Sequence, residues 1–350
     1  MTEPHVTIDG RGIGPGHPPY VICEISGNHN GSLDRALSLI DAAAETGCDA
    51  IKLQTYTPDT MTIDCDTPDF TISGGLWDGR TLYSLYEEAH TPFEWHEALF
   101  ARAREHGVTV LSTPFDESAA DLLDELGCPA FKIASFEAND LALIAHVAAK
   151  GKPMIISTGL ASLGEIELAV STARENGCND LVLLHCISSY PAPSDQSNLR
   201  TIPHLGEAFD VVVGLSDHTH GTATSVAAVA LGAAVIEKHF TLAREDGGPD
   251  AAFSLEPAEF ARLCEDCRHG WMSLGRVSYR LSPAENANLA FRRSLYAVCD
   301  IAAGEALTRE NVRSIRPGYG LPPRTLPSVL GRCANRAIAR GTPLSWAFLA

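Results

Sequence analysis

Two histidines mark where this sequence is equipped for chemistry. His218 closes the run GLSDH that starts at Gly214, and His239 closes the run VIEKH. Each follows an apolar stretch of the kind that forms a buried parallel strand, and residues 221–232 between them have helical composition. In a barrel of parallel strands, consecutive strand ends converge on one mouth. Two neutral imidazoles there, with other positions open, suit a divalent cation that must also hold substrate. Parity turns Glu237 and His239 inward and Lys238 toward the helices. Taken singly, either histidine reads as a core or rim residue held by hydrogen bonds. The pair points to a metal.

A polar group stands at nearly every other strand end: Glu24, Lys52 and Gln54, Thr113, Lys132 and Ser135, Ser157 and Thr158, Ser188 and Tyr190, and Ser216. A single hydroxyl at such a place caps the next helix. Two lysines need another reason, because a buried ammonium is costly unless an anion faces it. Lys52 and Lys132, with Gln54, Thr113, Ser135, Ser157 and Ser216, make a cradle for a phosphate or carboxylate beside a metal pair that polarises a carbonyl. The chemistry implied is carbon–carbon bond formation between a phosphorylated anion and an aldehyde. A Schiff base on either lysine, as in class I aldolases, is the competing enzymatic reading, and the histidine pair favours the metal. A sugar- or ice-binding module, prompted by the small tail, leaves the polar set without a purpose.

The elements that must position these groups repeat along the chain. Strand-like runs fall at residues 19–25, 50–55, 108–113, 130–135, 154–158, 181–186, 211–213 and 233–239, each followed by a helix-like segment. Ser32 caps a helix over residues 33–46, and the last helix covers 257–274. Eight strand–helix units in about 250–280 residues fit a (β/α)8 barrel. A doubly wound sheet would want a GxGxxG after its first strand, and none is there. Residues 56–91, after the second strand, are far longer than an ordinary barrel loop and carry Trp77, Tyr83 and Tyr86, the marks of a lid or specificity element. The expected division is a catalytic barrel over residues 1–280, a linker over 281–291 and a small second domain over 292–350. A tail of that size is marginal alone and should dock on a barrel, its own or a neighbour's.

Composition narrows the partners. A net charge of −18 argues against nucleic acid and anionic membranes, so an anionic substrate must be met by a local lysine cluster. The amino terminus lacks a basic-then-apolar signal, and the longest apolar run, residues 225–236, is too short for a bilayer. A cytoplasmic location and reduced thiols for the ten cysteines are expected. Cys264 and Cys267 form a CxxC without a second ligand pair nearby.

In chain order, CEISGNHNG, AIKLQTYTPDT, STPFD, FKIASFE, ISTGLAS, HCISSYPAP, GLSDHT, EKHFTL and GGPDAAFSLEP resemble the motifs of the sialic acid synthase family. The match covers essentially the whole chain, and the tail resembles that family's antifreeze-like (SAF) domain. The resemblance implies a TIM barrel followed by that domain. It implies condensation of phosphoenolpyruvate with an N-acylated aldose to give a nine-carbon nonulosonic acid and phosphate. A divalent metal, typically manganese, is implied as well, with magnesium or cobalt as alternatives for an imidazole pair. The stretches GGLWDGRTLYSLYEEAHTPFEWH, FRRSLY and SIRPGYGLPP are most similar to the pseudaminic acid branch. The acceptor would then be 2,4-diacetamido-2,4,6-trideoxy-L-altrose. The neuraminate and legionaminate branches, with other N-acylated aldoses, are the alternative.

Roles follow the resemblance by motif position. His218 and His239 match metal ligands. Lys52, Gln54, Thr113, Lys132, Ser135, Ser157, Ser188, Tyr190 and Ser216 match phosphoenolpyruvate contacts, and Glu137 and Asp250 match contacts to the open-chain sugar. Glu24 matches the acidic residue that manages protons. Arg316 resembles an arginine that reaches a neighbouring subunit's acceptor, which implies a domain-swapped homodimer. Ser188 departs from the asparagine frequent at its position.

Overall fold

The structure, a computed structural model, describes residues 4–350 as two compact units, the first ending at Gly275 and the second running from Arg276 to Ala350. The division falls a few residues before the expected boundary at 280, where the last barrel helix ends at Leu274.

The first unit opens with a hairpin, β1 (Val6–Ile8) and β2 (Arg11–Ile13). Asp9 and Gly10 both take positive φ at its turn, the twist-matched Asp-Gly hairpin signal. Then come β3 (Tyr20–Glu24), α1 (Leu33–Glu45) and β4 (Ala50–Thr55). The long insertion follows, with short helices α2 (Pro58–Met61) and α3 (Leu82–Ala89). Alternation resumes with α4 (His96–His106), β5 (Thr109–Pro114), α5 (Glu117–Glu125), β6 (Phe131–Ile133), α6 (Leu141–Ala148), β7 (Met154–Ser157) and α7 (Leu163–Glu175). It ends with β8 (Leu181–Cys186), α8 (Thr201–Phe209), β9 (Val212–Asp217), α9 (Ala223–Ala230), β10 (Val235–His239) and α10 (Pro257–Leu274). Strands β3 to β10 form a closed parallel barrel, in which β10 pairs with β3 and sets His239 opposite Glu24.

The local physics is plain. The strands are buried on both faces, so they read as near-continuous apolar runs. The helices carry one apolar stripe, as in α1, where Ala36, Leu39, Ile40 and Ala43 pack inward behind a Ser32 cap. The hairpin seals the end opposite the strand termini: Ile8 and Ile13 are fully buried, Arg11 pairs with Asp49, and Thr109 donates to Asp9 at 2.9 Å. Two strands differ from expectation. Strand β6 stops at Ile133, so Ser135 sits on a 3-10 turn, with Glu137, instead of at a strand end. Strand β9 extends to Asp217 and carries Ser216 within it.

The second unit contains an antiparallel pair, β11 (Ser294–Ala297) and β12 (Val312–Ile315), and the short helix α11 (Leu326–Val329). Its own core includes Leu295, Ile301, Leu307, Val312, Val329 and Ile338. Arg316 directly follows β12. Among the described residues, no helix is long and apolar enough to cross a membrane.

Candidate active site

The carboxyl ends of β3, β4, β6 and β10 bring four charged side chains into one buried cluster. Lys52 pairs with Glu24 and lies 3.6 Å from Glu237, while Lys132 approaches Glu237 at 3.5 Å. Lys52 also donates to Thr113 Oγ1 at 3.1 Å, and Ser216 donates to Glu237 at 3.3 Å. Such burial of charge is tolerable only with paired partners. Desolvation works against the Lys52 ammonium, but Glu237 and Glu24 outweigh it and hold that lysine above its ordinary range. Burial pushes Lys132 down, with Glu237 opposing in part. Burial likewise pushes Glu24 up against the pull of Lys52. Glu237 resists its own desolvation because Lys132 and Lys52 face it, and it is held below the usual carboxylate range.

Hydroxyls complete this wall. Ser157, at the end of β7, is buried with its Oγ unpaired. Ser135 Oγ accepts from the backbone N–H of Gly159 at 3.2 Å. A methyl group at Gly159 would lie 2.8 Å from Ser135 Oγ and press on Ser188 Oγ, so glycine there lets both hydroxyls keep their present positions. Two lysines with several hydroxyls around one concavity are the donor set a phosphate or carboxylate needs.

The two histidines stand beside this wall. Their ring centroids are 5.4 Å apart, and Tyr190 packs against His218 with centroids 4.5 Å apart. His218 Nδ1 donates to the Ile187 carbonyl at 3.0 Å, which leaves Nε2 as the nitrogen for a metal. Against burial, Cys186 and that carbonyl hold the imidazole above its ordinary range, so a cation bound at Nε2 would displace its proton. His239 Nδ1 is buried without a hydrogen-bond partner and lies 3.8 Å from Asp250 Oδ2. Burial and the neighbouring His218 push the His239 imidazole well below its ordinary range, toward the neutral form that ligates. An orphaned ring nitrogen, a fixed tautomer and a near carboxylate fit a divalent cation. Among the described residues, no three His, Cys, Asp or Glu side chains gather into a complete cage, so such a cation would keep positions for water or substrate.

A cavity of about 570 Å³ opens from His239 toward the insertion. Its polar lining includes Gln54, Glu137, Ser188, Tyr190, His239 and Asp250, with hydroxyls also from Tyr56, Tyr86 and Ser189. Burial pushes the Glu137 carboxyl up to about 7, with Lys132 opposing, and burial also raises Asp250. No lysine or arginine lines the cavity among the described residues.

Comparison with known proteins gives this arrangement a family. Residues 39–279 match the NeuB family and residues 292–350 match the SAF domain. The chain belongs to the NeuB family. It is 45% identical over 325 residues to the pseudaminic acid synthase of Campylobacter jejuni (serotype O:2), covering 93% of this chain and 95% of that one. It is 42% identical over 329 residues to the pseudaminic acid synthase of Helicobacter pylori, covering 94% and 97%. Among solved structures, it is similar to the N-acetylneuraminic acid synthetase of Leptospira borgpetersenii in complex with citrate, with a TM-score of 0.73, 31% identity, and 82% and 95% coverage.

Within this NeuB chain, fifteen side chains were expected in the site, and fourteen of them lie on the first unit's strand ends and the loops that follow them. Arg316 lies in the second unit. Two contributors were not singled out. Glu237, whose inward parity was legible, proves to be the shared partner of both lysines. Asn28, in the loop after β3, is fully buried and donates to Phe240 O at 2.8 Å and Ser254 Oγ at 3.0 Å, tying that loop to the one after β10. An asparagine in an NHNG loop carries no signal of such a partner.

Proposed function

We propose that the chain is a pseudaminic acid synthase, a transferase that condenses phosphoenolpyruvate with 2,4-diacetamido-2,4,6-trideoxy-L-altrose, releasing phosphate. The observation that carries this is the adjacency of a lysine-and-hydroxyl wall to a histidine pair, one member of which, His239, lines a cavity without lysine or arginine. A phosphorylated anion suits the first, an aldehyde the second, and a neutral acylated sugar the third. The 45% identity to a pseudaminic acid synthase supports the choice of acceptor.

His218 and His239, with Asp250 close by, would hold the divalent metal, most suitably manganese, and bound there it supplies polarisation of the aldehyde oxygen. Everything else falls to the chain. Glu237 keeps the ammonium groups of Lys52 and Lys132 aimed into the wall, where they neutralise phosphate and carboxylate. Thr113, Ser135, Ser157, Ser188 and Ser216 fix the anion, with Gln54 and Tyr190 at its border. Glu137 and Asp250 hold the open-chain sugar so that its aldehyde faces the phosphoenolpyruvate methylene. That methylene attacks the aldehyde carbon, and the aldehyde oxygen takes the Glu24 proton to become a hydroxyl. Water adds to the resulting cation at C2, and Glu24, raised by burial, takes the proton released. The tetrahedral intermediate collapses to the ketone and expels phosphate by carbon–oxygen cleavage.

Residues 281–291 serve as the linker to the SAF domain. Arg316 acts on a partner subunit's acceptor in a homodimer, and the use of phosphoenolpyruvate, an intracellular metabolite, sets the reaction in the cytoplasm. Mass spectrometry of products formed in oxygen-18 water tests the mechanism. Label belongs in the nine-carbon keto acid and not in phosphate, and labelled phosphate would rule out carbon–oxygen cleavage.

A further inference from the structure

The insertion and the turn after β6 carry more apolar surface into the site than the fold requires. Leu76 is 47% exposed and Phe136 58% exposed, yet both line the same cavity as His239 and Asp250. Ile72 and Trp77 extend that wall. These side chains belong to neither core, and the one polar group they carry, the Trp77 N–H, is already taken. Trp77 fixes the stretch in place. Its indole N–H donates to the Pro249 carbonyl at 2.9 Å, the peptide that leads into Asp250, and its ring lies 5.8 Å from Tyr190. Bridge pairing of Thr71 with Thr81, and bonds of Ile72 with Gly79 and Arg80, make the tip a defined hairpin rather than a loose loop.

We infer that this wall reads the deoxygenated end of the acceptor, with Leu76 as the specificity-determining contact and Trp77 as the positioning residue. A sugar whose aldehyde is held near His239 presents its far carbon elsewhere in the same cavity. A methyl group there covers Leu76 and Phe136 at no polar cost, whereas a hydroxyl loses its water without finding a partner. An apolar pocket discriminates against one added hydroxyl by about 100-fold at most. The inference rests on the trideoxy acceptor proposed above and names how the site selects it.

The test uses the full chain loaded with manganese and follows phosphate release with two diacetamido altroses that differ only in a hydroxyl at C6. The wild type should favour the 6-deoxy acceptor by about 10–100-fold in kcat/KM. Leu76→Asn, at an exposed position, should cut that ratio about tenfold and leave the phosphoenolpyruvate KM unchanged. Trp77→Phe keeps the apolar ring but not the bond to Pro249, and should raise the KM of both acceptors while preserving the ratio. A preference that persists unchanged in Leu76→Asn and in Trp77→Ala overturns this inference alone. A wild type that prefers the 6-hydroxy sugar, or uses neither, overturns the acceptor reading and the inference with it.

Discussion

At the scale of single residues, the site depends on groups whose burial is tolerable only because of one another. His218→Ala or His239→Ala should abolish turnover and weaken manganese binding, with the circular dichroism spectrum unchanged. Full activity in either variant, or in metal-stripped enzyme, would return the lysines to a Schiff-base role. Glu137 gives a pH handle. With its carboxyl pushed up to about 7, it is protonated below that pH and donates to the acceptor, then loses the proton above it. The acceptor KM should therefore rise as pH climbs from about 6 to 8, and Glu137→Gln, which keeps a donor at every pH, should flatten the profile. An identical rise in the variant would assign the titration to another group.

Single elements show both why much was legible and why some was not. Strands β4 and β8 and helix α10 have the bounds their apolar runs predict, because a strand buried on both faces leaves an unbroken apolar signature. Parity on β10 was equally legible, and Lys238 does face outward, 2.9 Å from Asp217 on β9. The β1–β2 hairpin escaped notice although Asp9-Gly10 is its turn signal, since three-residue strands are too short to show alternation. Ser135 was displaced from a strand end because β6 stops early, which no propensity in FKIAS announces. The Lys238–Asp217 pair makes a prediction at this scale. Asp217 also accepts from Thr219 and Ser225, so Lys238→Met strands a fully buried carboxylate and should lower stability by about 3–5 kcal/mol in denaturant unfolding. Adding Asp217→Leu should recover most of that loss, and no recovery would mean that the lysine stem, not the ion pair, carries the effect.

At the scale of the whole molecule, the barrel unit carries the lysine wall, the histidines and the cavity proposed to take the acceptor, and the SAF domain carries Arg316. The barrel was legible from its eightfold alternation, whereas the spacing within one chain carries no signal for the trans role proposed for Arg316. Arg316→Ala should raise the acceptor KM at least tenfold and leave that of phosphoenolpyruvate nearly unchanged. Mixed with Lys132→Ala after subunit exchange, it should recover about one quarter of the wild-type activity, because half the dimers are hybrids and each hybrid has one intact site. No recovery would place Arg316 in its own subunit's site or outside it. The central claim is tested most directly by phosphate release from phosphoenolpyruvate with manganese or with chelator, offering the trideoxy-diacetamido altrose beside N-acetylmannosamine. Release that requires both manganese and the altrose is the predicted result. Release with N-acetylmannosamine alone, or release undiminished by chelator, would contradict it.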